Sequence, residues 1–379
     1  MLCCSAGAHA QTVDVREANP WFARVGLAPS LVLPTNPFQI GQAVSSPVAW
    51  APNVTLEVGH RTDGTSAWHA LYGMPSYGFG FSTASFRDGA GSVKPLEAYA
   101  FFSWPFASLA DRLDLTTDFS TGASWNWRQI DERTGEIRTV LGSNLNARID
   151  WGFYLRYALS RKDELYAGLD FTHRSNGGLL QPDRGINTLG PKVMVQRNLG
   201  EFGTHVPKTR DVHRPAGFTP DWEVLAGVSA GAKNVVEQNG PMVREDFAAL
   251  DGSVAAHRKF YPFGLMAAGL DVGYDGSAGI RSNPANVLWR AQPSERWALG
   301  SYGGYEHLVG RFGAFVHLGY KLAQGFEEPG APRFYQRFGW RYRINDRFFS
   351  TFSVRAVEGR KADALEVGAG YRIRAFRRE

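Results

Sequence analysis

Residues 145–159 read Leu-Asn-Ala-Arg-Ile-Asp-Trp-Gly-Phe-Tyr-Leu-Arg-Tyr-Ala-Leu. Leu145, Ala147, Ile149, Trp151, Phe153, Leu155, Tyr157 and Leu159 share one parity. Asn146, Arg148, Asp150, Gly152, Tyr154 and Arg156 share the other. Successive side chains of a strand point to opposite faces, so this is a long strand with one apolar and one charged face. It is far longer than the usual ~5–6 residues of a soluble strand. It suits a tilted membrane-crossing strand, which needs about 9–11 residues in hydrocarbon.

The same alternation recurs outward from this stretch. Trp222, Val224, Ala226, Val228 and Ala230 alternate with Glu223, Gly227 and Ser229. Phe312, Ala314, Val316, Leu318, Tyr320 and Leu322 alternate with Gly313, Phe315, His317, Gly319 and Lys321. Leu365, Val367, Ala369, Tyr371 and Ile373 alternate with Glu366, Gly368, Gly370, Arg372 and Arg374. Many long strands, each with a polar or glycine inner face, argue for a barrel with a polar lumen; a soluble lipocalin-like barrel reverses the polarity. Composition agrees. Among 379 residues, 43 are glycine, aromatics make up 13%, and charged residues only 20%, against about 7% glycine and 25% charged in average soluble proteins. That apolar and aromatic content excludes a disordered chain. The absence of a ~20-residue apolar run, with a mean hydropathy of -0.27, excludes a helical membrane protein. Two cysteines, Cys3 and Cys4, exclude a disulfide scaffold and zinc-finger chemistry.

Link lengths alternate as well. Short links fall near Arg161–Asp163, His257–Tyr261, Val309–Gly310 and Ile344–Asp346, and longer ones at 128–144, 176–186, 277–294 and 325–332. Outer-membrane barrels combine short periplasmic turns with longer outer loops. The expected fold is therefore an all-β, transmembrane, antiparallel up-and-down β-barrel of about fourteen strands, within a range of 12–16. Counting back from the last strand, the first begins near Trp68, and Val54–His60 is an uncertain further one. The long 200–221 link falls on the short-turn side and is a misfit in this pattern, which is still read as one domain. The chain divides into residues 1–10, residues 11–50 without assignment, and a barrel over 51–379. Ala8-His9-Ala10 before Gln11 reads as a signal-peptide cleavage site, so residues 1–10 are expected to be a signal-peptide remnant. Cys4 as a lipoprotein cysteine is the weaker alternative.

The chemistry concentrates in one hairpin. In Glu164–Ser175, Leu165, Ala167, Leu169 and Phe171 form the apolar face, and His173 and Ser175 continue it. A loop follows, and the next strand carries Asn187 on the same parity as Leu189, Pro191, Val193 and Val195. His173, Ser175 and Asn187 can thus meet on the outside of the barrel at the looped end. A lone histidine at a strand end is most often interfacial, but a Ser–His pair on a lipid-facing stripe is expensive unless used. A serine hydroxyl needs a base to become a nucleophile, imidazole has the pKa for that task, and an amide oxygen can fix its tautomer. Asn176 and the backbone around Gly177 are candidate oxyanion donors, and Arg184 and Arg197 candidate phosphate contacts, although interfacial snorkelling is the commoner role of such residues. Of the other histidines, His69, His307 and His317 read as lumen or rim residues. His205 and His213 lie in a polar loop without metal-ligand spacing. No metal cluster or cofactor motif is visible, and the positive charge is too dispersed for nucleic acid.

The string His173-Arg-Ser175-Asn176-Gly177, followed by Pro182-Asp183-Arg184-Gly185-Ile186-Asn187, resembles the lipid A 3-O-deacylase, or acyloxyacyl hydrolase, family. The resemblance is specific over about residues 165–199, looser over the preceding strands, and does not extend to the C-terminal 180 residues, since small members of that family have eight strands. It implies an outer-membrane barrel of a Gram-negative cell whose partner is lipid A of lipopolysaccharide. The activity implied is a serine esterase with Ser175 as nucleophile and His173 as base. The family's third member, often Glu, corresponds to Asn187, and its oxyanion-hole Asn to Asp183. The spacing of His173, Ser175 and Asn187 also resembles outer-membrane phospholipase A, although that family's calcium-binding loop pattern is absent. From a different class, a non-catalytic pore or structural barrel is the third reading.

Overall fold

The computed structural model describes residues 19–33, 49–63, 65–88, 91–127, 141–180, 183, 185–200, 220–237, 243–282, 288–327, 332–357 and 361–375. The signal-peptide expectation at residues 1–10, His205, His213 and Arg184 lie outside them. Eight strands close a first barrel: β1 (Trp21–Val32), β2 (Trp50–Arg61), β3 (Ser76–Ala84), β4 (Leu96–Ala110), β5 (Leu113–Trp125), β6 (Asn146–Ala158), β7 (Asp163–Ser175) and β8 (Ile186–Asn198). Eight more close a second: β9 (Asp221–Glu237), β10 (Val243–Tyr261), β11 (Gly264–Asp275), β12 (Trp297–Val309), β13 (Phe312–Gln324), β14 (Phe334–Arg343), β15 (Phe348–Val357) and β16 (Lys361–Ala375). All neighbours are antiparallel and consecutive, and the seams are β1 on β8 and β9 on β16. A five-residue helix, α1 (Ala67–Leu71), lies between β2 and β3. Among the described residues no helix is long and apolar enough to cross a membrane.

The barrel class and the strand range expected from sequence are as found, but the sixteen strands form two closures where the sequence suggested one. The strand that closes the first barrel, β1, comes from the segment left without assignment. Its alternation of Trp21, Ala23, Val25, Leu27, Pro29 and Leu31 outside with Phe22, Arg24, Gly26, Ala28, Ser30 and Val32 inside is real. It is muted by alanines and by a proline in mid-strand. Val54–His60 is the body of β2, whereas Trp68 sits on α1. His257–Tyr261 continues β10 to its end, because His257 is fully buried inside the barrel, and the turn comes at 262–263. The 200–221 link, a misfit in one barrel, is the connection between two. Both barrels put their short turns at the same end.

Alternation fixes which face is which. Along β6 every second residue from Asn146 to Tyr154 is buried, and those of the other parity, Ala147 to Tyr157, are exposed apolar side chains. An eight-stranded barrel is just wide enough for its inner side chains to fill it. In the first barrel these are charged and paired: Arg148 with Glu97 at 2.9 Å and Asp150 at 3.0 Å, Arg174 with Glu97 at 2.5 Å, Arg24 with Asp118 at 2.8 Å, and Lys192 with Asp170 at 3.1 Å. Buried charges are tolerable only when so compensated. At the looped end an apolar plug of Val32, Ala51, Ala84, Phe86, Trp127, Leu141 and Ile186 covers this network.

The barrels touch along their height. At the short-turn end Tyr72, just after α1, donates to Leu308 O at 2.5 Å and contacts His307 Nε2 at 2.8 Å. Midway, Phe119 of β5 meets Trp340 of β14 edge-on at 5.1 Å. At the looped end the Asn234 N–H donates to Gly178 O at 3.0 Å.

Candidate active site

Strands β7 and β8 pair in a register that sets His173 opposite Asn187 and Phe171 opposite Leu189. Directly opposed residues on one face have Cβ atoms about 4.5–5.5 Å apart, so the imidazole and the amide meet without distortion. His173 Nδ1 lies 2.7 Å from Asn187 Oδ1. An amide oxygen only accepts, so Nδ1 carries the proton and Nε2 is left with its lone pair. Arg174, between His173 and Ser175, is anchored inside the barrel by its pair with Glu97, and strand alternation then holds 173 and 175 outward. Among the described residues no hydrogen bond joins His173 to Ser175. The Ser175 hydroxyl instead accepts from the Gly177 N–H at 3.2 Å.

The loop between the strands is tightly organised. Gly177, Gly178 and Gly185 have φ of 69°, 86° and 65°, a region side-chain-bearing residues seldom enter. Asn176 is buried; its amide donates to Leu180 O at 2.7 Å, and its oxygen accepts from the N–H groups of Gly178 and Leu180 at 3.1 and 3.2 Å. Asp183 accepts from the Asn176 N–H at 3.3 Å and from the Gly178 N–H at 2.9 Å. Burial pushes its carboxyl above the ordinary carboxylate range, against the opposing pull of these backbone donors. The carboxylate thus occupies the Gly178 N–H beside the serine, and the side chain of Asn176 is committed to its own turn. Gly185 is a residue the sequence reading quoted without a role: a Cβ there would lie 2.9 Å from His173 Cε1. Only its place in the motif string hinted at this.

Of the expected site residues, His173 and Asn187 are joined, Ser175, Asn176, Gly177 and Asp183 surround them, and Arg197 is elsewhere. Arg197 shares the outward parity but lies ten residues further down β8, about 30 Å away. There it pairs with Asp163 at 2.7 Å, at the short-turn end. It is not part of the site. No group of three or more His, Cys, Asp or Glu residues able to hold a metal occurs among the described residues.

Two family models match, one to each barrel. Residues 53–195 match lipid A 3-O-deacylase (PagL), and residues 221–375 match the acyloxyacyl hydrolase C-terminal domain. The chain belongs to the PagL lipid A 3-O-deacylase family. Its barrels are outer-membrane barrels, and the resemblance, expected to stop before the C-terminal 180 residues, reaches them through the second match. Among solved structures, the crystal structure of the outer membrane enzyme PagL is 20% identical, with 46% of this chain and 98% of that chain covered and a TM-score of 0.31. A mutant porin of Rh. blastica is 8% identical, with 93% and 99% covered and a TM-score of 0.17. No curated protein matches the chain.

Proposed function

We propose that this PagL-family barrel is a serine esterase that hydrolyses an ester-linked acyl chain of lipid A in the outer membrane of a Gram-negative cell. The observation that carries the reading is the 2.7 Å contact of His173 Nδ1 with Asn187 Oδ1 on the outward face, two residues from Ser175. Nε2 takes the Ser175 proton as Oγ attacks the ester carbonyl. The tetrahedral intermediate collapses, the sugar oxygen leaves with that proton from Nε2, and the acyl group stays on Oγ. Water, deprotonated by Nε2, then releases the fatty acid and restores the serine. Asn187 holds the tautomer throughout, and it does so without setting a carboxylate beside lipid. The Gly177 N–H, which donates to Ser175 Oγ, is the backbone donor we assign to the developing oxyanion. Asn176 and Asp183 shape the turn that presents it. Arg184, in the same loop by sequence, is the residue we assign to a headgroup phosphate. The site's outward orientation lets the acyl chains remain in the membrane while the ester lies at headgroup level.

The amide at position 187 favours one rival, an outer-membrane phospholipase A. Protein purified in detergent is incubated with lipopolysaccharide and, separately, with phospholipid, and the products are read by mass spectrometry. Loss of one acyl mass from lipid A, abolished in Ser175→Ala and His173→Ala, is expected. Cleavage of phospholipid alone would give the rival, and cleavage of neither would leave a non-catalytic barrel.

A further inference from the structure

The candidate site opens on a re-entrant corner between the two barrels. The loop that follows the nucleophile is seated on the second barrel. Gly177 lies against Leu365 of β16 and Val354 of β15, Gly178 against the backbone of Ala362 and Asp363, and Asn234 of β9 bonds the Gly178 carbonyl. Below this roof each barrel presents one row of outward side chains. On the first barrel Phe119, Trp151 and Phe171 are neighbours across β5, β6 and β7. On the second, Trp340, Phe352 and Val367 are neighbours across β14, β15 and β16. Phe119 and Trp340 close the two rows at the back. Two convex walls that touch along one line diverge from it. Accordingly Trp151, Phe171, Phe352 and Val367 remain 50%, 37%, 44% and 61% exposed: the rows face one another without packing together.

Ser175 is placed on the side of this corner. Its only strand neighbour is Ala147 of β6, since the β7–β8 pairing ends at Arg174. The exposed alanine leaves room beside the hydroxyl, and Ile149 and Trp151 continue downward along the same face of β6. From Ser175 to Leu169, six residues along β7, is about 20 Å, which covers the ~15 Å of hydrocarbon in one leaflet. We propose that this inter-barrel crevice takes the acyl chain whose ester is cleaved, so that the second barrel forms one wall of the substrate site. The inference rests on the esterase reading and deepens it. The occupant is a single acyl hydrocarbon chain continuous with an ester at Ser175, because the two facing rows are apolar and begin below the hydroxyl.

The test narrows the far wall. Val367→Trp is compared with Leu270→Trp, a similarly exposed apolar position in the middle of β11, three strands from β16 around the second barrel. Rates are measured in detergent on a series of nitrophenyl esters from four to sixteen carbons. Val367→Trp is expected to lower the ratio of long-chain to short-chain kcat/KM at least tenfold, with Leu270→Trp keeping the wild-type ratio. An unchanged ratio in Val367→Trp, or an equal fall in Leu270→Trp, would overturn the proposal while the esterase reading stands. Hydrolysis of no ester by the wild type would remove the esterase reading, and the crevice assignment with it.

Discussion

Gly185 combines a φ of 65° with a Cα set against the imidazole of His173, and both are disturbed by a single methyl group. In Gly185→Ala the left-handed conformation alone costs roughly 1–2 kcal/mol, or a few degrees of Tm in a protein of this size. The new Cβ would start 2.9 Å from Cε1 and 3.6 Å from Nδ1, so the ring must retreat by about half an ångström to reach ordinary contact, stretching the bond to Asn187. A 1 Å misplacement of a catalytic group can lower the rate ~10²-fold, so half of that predicts about a tenfold fall in kcat. Gly310 supplies the control. Its φ is 59°, but the nearest atom to an added Cβ is Trp68 Nε1 at 4.0 Å. Gly310→Ala should therefore lose the same few degrees and keep its rate. Initial rates of ester hydrolysis and thermal unfolding in detergent, on both variants and the wild type, separate strain from misalignment. If Gly185→Ala lost stability but hydrolysed as fast as Gly310→Ala, the imidazole would not be held by that glycine.

Asn187→Leu keeps the side-chain volume and removes the acceptor from His173 Nδ1; kcat should fall about 10–100-fold, the equivalent of roughly 1.5–3 kcal/mol, with KM little changed in steady-state assays. Asp183→Asn replaces one carboxylate oxygen by an amide N–H able to donate to the oxyanion, and kcat should rise about tenfold or more, since one well-placed oxyanion donor is worth ~10²–10³. The same variant gives a pH test. A carboxyl raised by burial binds its proton more tightly in the folded state than in the unfolded chain. Its contribution to stability is therefore present below the ordinary carboxylate pKa and lost as pH rises through the folded value. The Tm of the wild type relative to Asp183→Asn should accordingly rise as the pH falls through that window. Glu97→Ala would leave Arg148 and Arg174 buried without their shared partner; it should destabilise the first barrel by about 3–5 kcal/mol in denaturant titrations, more than any single lipid-facing substitution.

What the sequence made legible was the face of each residue. Arg148 and Asp150 against Ile149 and Trp151, repeated strand after strand, identify a charged interior and a lipid-facing exterior without any structure. The same parity brought His173, Ser175 and Asn187 together. Parity does not give height, however, and Arg197 was assigned to the site although it sits at the other end of β8. Nor does it give closure: β8 turning back to β1 instead of pairing with β9 depends on which seam is formed, and no local pattern records that. The loop resisted for another reason. The hold of Asp183 on two backbone N–H groups, and the approach of Gly185 to the ring, arise from backbone conformation between strands, where alternation no longer applies.

The two seams also bear on how the chain reaches its final form. Phe22 meets Asn198 and Trp222 meets Ala375, so each closure joins positions about half as far apart as the ends of one sixteen-strand cylinder would be. The entropy saved is small, about 0.6 kcal/mol per halving of the loop; the larger effect is on sequence of events. A single large cylinder keeps two raw hydrogen-bonding edges in the bilayer until its last strand arrives. Here the first half can satisfy all its ladders while the second is still unmade, and the exposure of unpaired edges, the chief hazard of an assembling sheet, is cut into two shorter intervals.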